Sequence, residues 1–247
     1  MSYINICGSR IVDLSHTLEF GMPRSFGFPD IERTWMHRID RGSHVNVERV
    51  TTVLHAGTHM DTPAHFFLDG DTVDILPADC LLGPAVVVDM RTKQGHAGIT
   101  RQDIQCWEQE SGTTIEKGDA VILWTEHSAK WHLNEDDPEY LKTWPYIDED
   151  AAVYLRDKGI RMICTEAGDI DDVDQPLGPA HRVLLGSHIY IIENICNVAE
   201  IGSVRCQLIA VPLCIREGTG SPLRLLAVTG DERDPAYPDV PTFGELG

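Results

Sequence analysis

The sequence has little positive charge. Lys and Arg number 20 against 39 Asp and Glu, which gives a formal net charge of −19 over 247 residues. A field of that sign repels nucleic acid and anionic membrane surfaces, so we expect neither as a partner. The N-terminal segment lacks the basic start and apolar run of a signal peptide. No stretch approaches the roughly 18 consecutive apolar residues of a membrane span.

Paired cysteines are also lacking. The seven cysteines include no CxxC pair, and several lie in apolar runs, where a free thiol behaves as a small hydrophobic side chain. We therefore expect reduced, structural thiols and a cytoplasmic location. None lies beside the histidine cluster described below, so a catalytic cysteine is not expected. They are Cys7, Cys80, Cys106, Cys164, Cys196, Cys206 and Cys214.

Internal repeats and composition blocks are absent as well. The predicted strands and helices alternate along the chain without separating into two regions of different character. We predict one α/β domain over residues 1–247. The acidic, proline-rich segment 229–247 is predicted to be a surface or subunit-crossing tail.

The segment LHAGTHMDTPAHF, residues 54–66, concentrates side chains that bind metals. His55, His59, Asp61 and His65 lie within eleven residues of one another. Such a group builds a poor hydrophobic core but a good metal site. The alternative is a polar surface turn in which the histidines occur by chance.

The spacing of the histidines requires a bend. In an extended chain His55 and His59 would lie roughly 13 Å apart at about 3.3 Å per residue, which is the limit for two imidazoles that bind one ion at roughly 2.1 Å. Gly57 can bend the chain because it has free access to positive φ. A helix would also bring the two histidines together, but Gly57 and Pro63 disfavour one. We predict a strand over about Val47 to Leu54, followed by a bent ligand loop.

Residues 55–65, HAGTHMDTPAH, match the HxGTHxDxPxH signature at every fixed position. The chain thus resembles the metal-dependent cyclase-like hydrolases, the family that includes bacterial kynurenine formamidase and isatin hydrolase. The resemblance extends over roughly residues 11–228. It implies an α/β fold with a mixed central or barrel-like β-sheet and flanking helices, of the swivelling β/β/α type. We also predict a homo-oligomer, either a dimer or a tetramer.

The signature suggests a division of roles among its polar residues. His55, His59 and Asp61 are the predicted ligands of a first ion. His65 lies six residues past His59 and beyond Pro63, which suits a general acid/base better than a further ligand. The last histidine of the signature has this role in the family, so the two arguments agree.

A downstream acid indicates a second ion site. Glu193 closes the apolar strand Ile189 to Ile192, where a carboxylate is costly unless it is paired or bound to a metal. The alternative is a carboxylate that caps the next turn. The resemblance favours the metal, because in the two-metal formamidases of the family a histidine and a glutamate at this separation complete the second site. They correspond to His181 and Glu193, and Asp61 would bridge ions roughly 3.5–4 Å apart.

Three further side chains are predicted to contact the substrate. Phe26 and Trp35 lie in a long aromatic segment that would suit a lid, with core or interface positions as the alternative. His16 lies in a DLSH segment that opens the fold beside the site in the family, although a hydrogen-bonded corner is the ordinary interpretation. A solvated loop and a functional one are equally consistent with the acidic residues Asp169, Asp171, Asp172 and Asp174.

The remaining patterns predict alternating strands and helices. Thr100, with Asp103 three residues on, predicts a capped helix start, and a second helix is predicted to end at about Lys158 before Gly159. Apolar runs predict strands at Pro84 to Met90, Ala120 to Trp124, Arg161 to Thr165, Gln207 to Ile215 and Leu223 to Val228.

The predicted chemistry is hydrolysis of an amide-type or cyclic acyl bond in a small molecule. Candidate substrates are an N-formyl arylamine such as N-formylkynurenine, an isatin-like lactam, or a small lactone. Imidazole and carboxylate ligands suit one or two Zn²⁺ or Mn²⁺ ions, which would activate water. One alternative uses the ion as a Lewis acid for dehydration or cyclisation. Another is a non-catalytic, metal-stabilised binding protein, which would not need His65.

Overall fold

The computed structural model describes residues 9–25, 27–131 and 138–230. Four α-helices lie in this part of the chain: α1 (Arg101–Ser111), α2 (Pro138–Lys142), α3 (Glu149–Lys158) and α4 (Pro179–Leu185). The strands are β1 (Arg10–Asp13), β2 (Glu32–His37), β3 (Val47–Thr51), β4 (His59–Asp61), β5 (Leu82–Asp89), β6 (Gly98–Ile99), β7 (Ala120–Trp124), β8 (Tyr146–Ile147), β9 (Met162–Cys164), β10 (Tyr190–Glu193), β11 (Arg205–Pro212) and β12 (Gly220–Thr229). None of the helices in these ranges is long and apolar enough to cross a membrane.

The main sheet closes on itself. Its eight strands follow the order β1-β12-β11-β5-β7-β9-β10-β4, and β4 also pairs with β12. All of these strands except β1 therefore form a closed ring. Strands β5, β7, β9 and β10 are parallel neighbours, and the other pairs are antiparallel. The predicted α/β fold with a mixed, barrel-like sheet and flanking helices is confirmed.

Successive residues of the parallel strands pack on opposite sides of the sheet, as the two-residue period of a strand requires. Val86 and Val88 of β5 belong to a cluster with helices α1, α3 and α4 on the outer face. Ala85 and Val87 belong to a second cluster, which also contains residues of β4, β11 and β12 and fills the barrel interior. Burial of both faces explains the continuous apolar runs in the sequence.

Several predicted elements are confirmed. The strand Ala120–Trp124 has the predicted bounds. Helix α1 begins at the predicted capping box, in which the Thr100 side chain accepts from Asp103 N and the Asp103 side chain accepts from Thr100 N. Helix α3 ends before Gly159, which adopts φ +76°. The predicted strand from Val47 stops earlier, at Thr51.

Strands β2 and β3 form a separate antiparallel hairpin outside the barrel. Every residue of both strands is exposed. An isolated two-stranded hairpin is marginally stable in water, and this one carries several exposed apolar side chains. Those on the strands and their connection are Trp35, Met36, Ile39, Val45, Val47 and Val50.

Candidate metal centre

Strand β4 brings the signature residues to the line where the barrel closes. It lies between β10 and β12, with Glu193 opposite His59 on one side and Gly220 opposite Asp61 on the other. His59 and Asp61 are two residues apart on this strand and therefore project to the same face. The sequence predicted a continuous loop here. The short strand forms because neighbours on both sides supply hydrogen bonds that the local sequence does not reveal.

The predicted bend lies at Gly57, where φ is +62°. The Gly57 carbonyl accepts hydrogen bonds from Asn194 Nδ2 at 3.1 Å and from His59 Nδ1 at 2.9 Å. A carbonyl only accepts, so Nδ1 of His59 is the donor in this contact, which leaves Nε2 as the nitrogen available to a cation. Nε2 faces the two carboxylates, at 3.3 Å from Asp61 Oδ1 and 3.5 Å from Glu193 Oε2.

His181 reaches the same carboxylates from helix α4. Its Nε2 lies 3.4 Å from Asp61 Oδ2 and 3.5 Å from Glu193 Oε1. The buried Asp171 carboxylate contacts the other ring nitrogen and the backbone of His181. It accepts from His181 N at 3.0 Å, lies 2.6 Å from Nδ1, and accepts from Ala180 N at 2.7 Å. These contacts orient Nε2 toward the centre of the cluster.

Asp61 lies at the centre of the cluster and is only 1 % exposed. Its Oδ1 lies 2.6 Å from His55 Nδ1 and 3.3 Å from His59 Nε2, and its Oδ2 lies 3.4 Å from His181 Nε2. Burial raises the pKa of the Asp61 carboxyl, but the charge of His59 and the three histidine contacts hold it well below its ordinary value. Asp61 is thus a shared carboxylate among three imidazoles.

The pKa of Glu193 is shifted in the opposite direction from that of Asp61. It is also buried, and its pKa is raised well above the ordinary value by burial and by the charges of Asp61 and Asp169. One backbone donor serves it, Ile170 N at 3.1 Å from Oε1. Two buried carboxylates this close together are costly unless a cation compensates them.

The donor set fits a divalent cation. Two groups of potential ligand atoms share Asp61: one contains His55 and His65, and the other contains His59 and Glu193. Imidazole nitrogen and carboxylate oxygen, without thiolate, suit Zn²⁺ or Mn²⁺ at a catalytic site. The prediction assigned His55 and His59 to the same ion. In the structure these two histidines belong to different groups of potential ligands. All five predicted ligands nevertheless converge on one place, and their roles as ligands stay predictions.

His65 follows β4 in a short 3₁₀ turn, Pro63–His65. Its ring stacks on that of His55 with centroids 3.9 Å apart, and its centroid lies 5.9 Å from that of His181. Surrounding protein desolvates the imidazole and lowers the pKa of His65 to about 4, although the side chain remains exposed on one side. The ring is therefore neutral at pH 7. The structure places His65 beside the predicted ligands, and its catalytic role stays a prediction.

A cavity of about 630 Å³ opens beside this cluster. His55, Gly57, Asp169 and Asn194 line it near the predicted ligands. The rest of its lining includes apolar and aromatic side chains on or near α2. The lining residues away from the cluster are Pro23, Arg24, Ser25, Tyr140, Leu141, Lys142, Trp144 and Val173, with Gly168 beside Asp169.

The three predicted substrate contacts lie elsewhere or are not described. Phe26 lies outside the described residues. Trp35 lies on the exposed hairpin, between Arg33 and Arg38, and does not line the cavity in its own chain. His16 stacks on Trp131 with centroids 4.0 Å apart, and its backbone N donates to Thr58 Oγ1. Substrate contact by any of the three stays a prediction.

Three site residues were not predicted from sequence. Asp171 was one of several acids in a loop that fitted a solvated role equally well, whereas the structure buries it against His181. Asn194 bonds the Gly57 carbonyl and also accepts from the buried Tyr140 hydroxyl. Thr219 Oγ1 lies 2.9 Å from His55 Nε2. No local pattern marks these contacts, because each joins residues of different structural elements.

Comparisons with known proteins identify relatives of this chain. A family model described as putative cyclase matches residues 12–172. Kynurenine formamidase of Erythrobacter litoralis (strain HTCC2594) is 32 % identical over 214 residues, which cover 85 % of this chain and 89 % of that protein.

Solved structures are similar over nearly the whole chain. Isatin hydrolase A from Labrenzia aggregata, bound to benzyl benzoate, has a TM-score of 0.80 and 30 % identity over 90 % of this chain and 94 % of that one. A structure described as a potential metal-dependent hydrolase with cyclase activity has a TM-score of 0.73 and 26 % identity, covering 91 % and 100 % of the two chains.

The two neighbouring buried carboxylates, Asp61 and Glu193, predict that divalent ions stabilise the fold. Zn²⁺ or Mn²⁺ added to chelator-treated protein should raise the melting temperature, with a stabilisation of about 2.7 kcal/mol at a hundredfold excess over Kd. Glu193→Gln should reduce this increase, because it removes a charged ligand. Scanning calorimetry with and without metal measures both.

Glu166→Gln is the matched control. Glu166 is a buried glutamate that accepts from Thr125 N, Glu126 N and the Thr125 and Ser128 hydroxyls, and it belongs to none of the potential metal groups of the described residues. This variant should lower both melting temperatures and preserve the metal-induced difference. An undiminished difference in Glu193→Gln would contradict the assignment of Glu193.

Proposed function

The chain belongs to the cyclase family and is a metal-dependent hydrolase of C–N bonds other than peptide bonds, and from this premise we propose that it cleaves an aryl formamide or a related cyclic amide. N-formylkynurenine and isatin are the two model substrates, and a small lactone is a related acyl substrate. Kynurenine formamidase and isatin hydrolase are the relatives that suggest them.

A single observation carries this proposal: a buried carboxylate, Asp61, is shared by three imidazoles beside a cavity. His55, His59 and Asp61 would hold one divalent ion, and His181 and Glu193 would hold a second with Asp61 between them. Zn²⁺ and Mn²⁺ both suit these donors. Bound there, such ions would supply Lewis acidity toward a substrate carbonyl and toward water.

His65 would handle the protons of the reaction. Imidazole is a common general acid/base, and a ring nitrogen of His65 would accept a proton from the attacking water. The same nitrogen would return that proton to the departing nitrogen as the C–N bond breaks. Its ring lies against His55, close to the carboxylates that would hold the ions. This proximity supports His65 as acid/base.

The cavity suits a small aromatic acyl compound. Its volume of about 630 Å³ lies within the ordinary range of small-molecule sites. Tyr140, Leu141 and Trp144 supply an aromatic and aliphatic wall. Tyr140 is connected to the candidate metal centre through Asn194, because its hydroxyl donates to Asn194 Oδ1. A planar aryl group would rest on this wall while the carbonyl faces His55.

Dehydration or cyclisation of a small carbonyl compound is the second candidate. One similar structure is described as having cyclase activity, which favours it. The same donors would polarise the carbonyl in that reaction, and His65 would again move a proton. Product mass separates the two reactions, because hydrolysis adds one water to the substrate.

Metal-dependent hydrolysis of a small panel tests the proposal. We expect protein purified without chelator to contain Zn²⁺ or Mn²⁺ by elemental analysis. We also expect it to cleave at least one of N-formylkynurenine, isatin and a small aryl lactone, with a mass gain of one water. Chelation should abolish turnover, and metal should restore it. Metal-loaded protein that cleaves none of these substrates would refute the proposed substrate class.

The role of His65 predicts a loss of turnover without a loss of metal. His65→Ala should lower kcat by about 10²- to 10⁴-fold, the ordinary contribution of a general acid/base, while the metal content stays at the wild-type level. His188→Ala is the control, because His188 is an exposed histidine paired with Asp71 away from the cluster. If His65→Ala loses its metal, His65 is a ligand and the assignment is wrong.

The exposed hairpin supports the predicted homo-oligomer. Its two strands have no sheet partner beyond each other among the described residues, although they carry apolar side chains on both faces. Val50 is 52 % exposed and Met36 is 64 % exposed. A second copy of this chain that covers the hairpin would remove this surface from water. The predicted subunit-crossing tail lies, from residue 231 on, outside the described residues.

A charge on the hairpin should break that contact. We expect wild-type protein to have at least twice the 27.5 kDa mass of one chain by light scattering, and Val50→Asp to approach the mass of one chain. Val211→Asp is the matched control, since Val211 is 50 % exposed on a barrel strand. A monomeric wild-type protein, or an equal effect of the two variants, would exclude the hairpin contact.

The state of the cysteines supports the predicted cytoplasmic location. The six cysteines that the structure describes are all unpaired, and Cys164, Cys196 and Cys206 are buried. Burial raises the pKa of Cys206 and of Cys196 to about 12, so these thiols are unreactive packing groups. Thiols used in this way are typical of a reducing compartment.

A further inference from the structure

His55 has a protein partner at each ring nitrogen. Nδ1 lies 2.6 Å from Asp61 Oδ1, and Nε2 lies 2.9 Å from the hydroxyl oxygen of Thr219. Thr219 stands immediately before β12, 164 positions from His55 in the chain. The hydroxyl therefore contacts the predicted metal-binding loop from a distant segment, at the nitrogen that points away from Asp61.

The contact bears on which nitrogen can bind a metal. A neutral imidazole has one N–H and one lone pair, and only the lone pair can bind a cation. Nδ1 of His55 is the nitrogen that faces Asp61, the carboxylate common to both groups of potential ligands. The Asp61 carboxylate only accepts, so at 2.6 Å it takes the Nδ1 proton of His55. A cation that binds Nδ1 would replace that proton, and the ring proton must then lie on Nε2. The Thr219 oxygen is placed to accept that proton in a hydrogen bond.

The position of Thr219 is itself well defined. Its carbonyl accepts from Thr62 N at 3.2 Å and from Thr62 Oγ1 at 2.9 Å. The next residue, Gly220, pairs with Asp61 in the ladder between β12 and β4. The strand pair that carries Asp61 thus also sets the position of the hydroxyl, so the two partners of His55 move together.

Gly220 provides the space that the ring needs. A Cβ at this position would lie 2.6 Å from His55 Cε1 and 2.6 Å from the Met60 carbonyl oxygen, which are distances that real Cβ atoms do not tolerate. On another side, the His65 ring stacks on His55. The His55 imidazole is thus confined between the Gly220 backbone and the stacked His65 ring. The contact of Thr219 with Nε2 restricts its rotation.

We propose that Thr219 is a positioning residue that accepts a hydrogen bond from His55 Nε2 and so presents Nδ1 of His55 to a divalent cation beside Asp61. This inference rests on the proposed function only through His55 as a metal ligand. Thr219 does not touch the reacting atoms. Its effect should therefore appear in metal affinity, independently of turnover. Partners of this kind commonly change metal affinity by about ten- to a hundredfold.

Metal titration of the full-length protein tests the inference. Chelator-treated protein is titrated with Zn²⁺ against a chromophoric chelator that competes for the ion. Thr219→Val keeps the shape of the side chain but removes the hydroxyl, and should weaken Zn²⁺ binding about ten- to a hundredfold. Thr219→Ser restores the hydroxyl and should bind nearly as tightly as wild type. Thr219→Ala gives a second test of the lost hydroxyl should Thr219→Val fail to fold.

Ser221→Ala is the matched control. Ser221 is buried on β12, shortly after Thr219, and its hydroxyl accepts from Leu213 N. Its Zn²⁺ affinity should equal that of wild type. The inference is overturned if the threonine variants that lack the hydroxyl bind like wild type, or if Ser221→Ala weakens binding to the same extent. A wild-type protein that binds no Zn²⁺ or Mn²⁺ would instead refute the proposed function.

Discussion

The site depends on one buried carboxylate placed where the barrel closes. Strand β4 is only three residues long, yet it joins β10 to β12 and completes the ring of strands. Asp61 lies on that strand, 1 % exposed, with imidazoles from three different segments around it. Closing the barrel therefore also brings together His59 and Asp61 of β4 and Glu193 of β10, whereas His181 reaches them from α4.

A common arrangement holds the three histidines. In each ring one nitrogen faces Asp61, and the other bonds a protein group outside the cluster: the Gly57 carbonyl for His59, the Asp171 carboxylate for His181 and the Thr219 hydroxyl for His55. Such outer partners fix the orientation of a ligating imidazole before any metal arrives. Because the rings are already oriented, less entropy is lost when an ion binds.

A comparison of two buried glutamates shows that burial alone does not indicate a metal ligand. Glu166 accepts four hydrogen bonds from residues 125–128 and so anchors the loop after β7. Glu193 accepts from one backbone donor and faces a second carboxylate and two imidazoles. Burial raises the pKa of both side chains. Among the described residues Glu193 has too few donors for a buried carboxylate beside another one, and this indicates an external cation.

Local sequence determined the features that depend on neighbouring residues. The apolar run Ala120–Trp124, the capping box at Thr100 and the bend at Gly57 are set by side-chain type and short spacing, and the structure agrees with each. The signature also identified the family and gathered His55, His59, Asp61 and His65. Tertiary structure decided the rest: that Asp171 is buried beneath His181, that Thr219 meets His55, and that β4 is a strand at all. Those contacts join residues of different structural elements or depend on strand partners on both sides, and a linear pattern carries no record of which elements will meet.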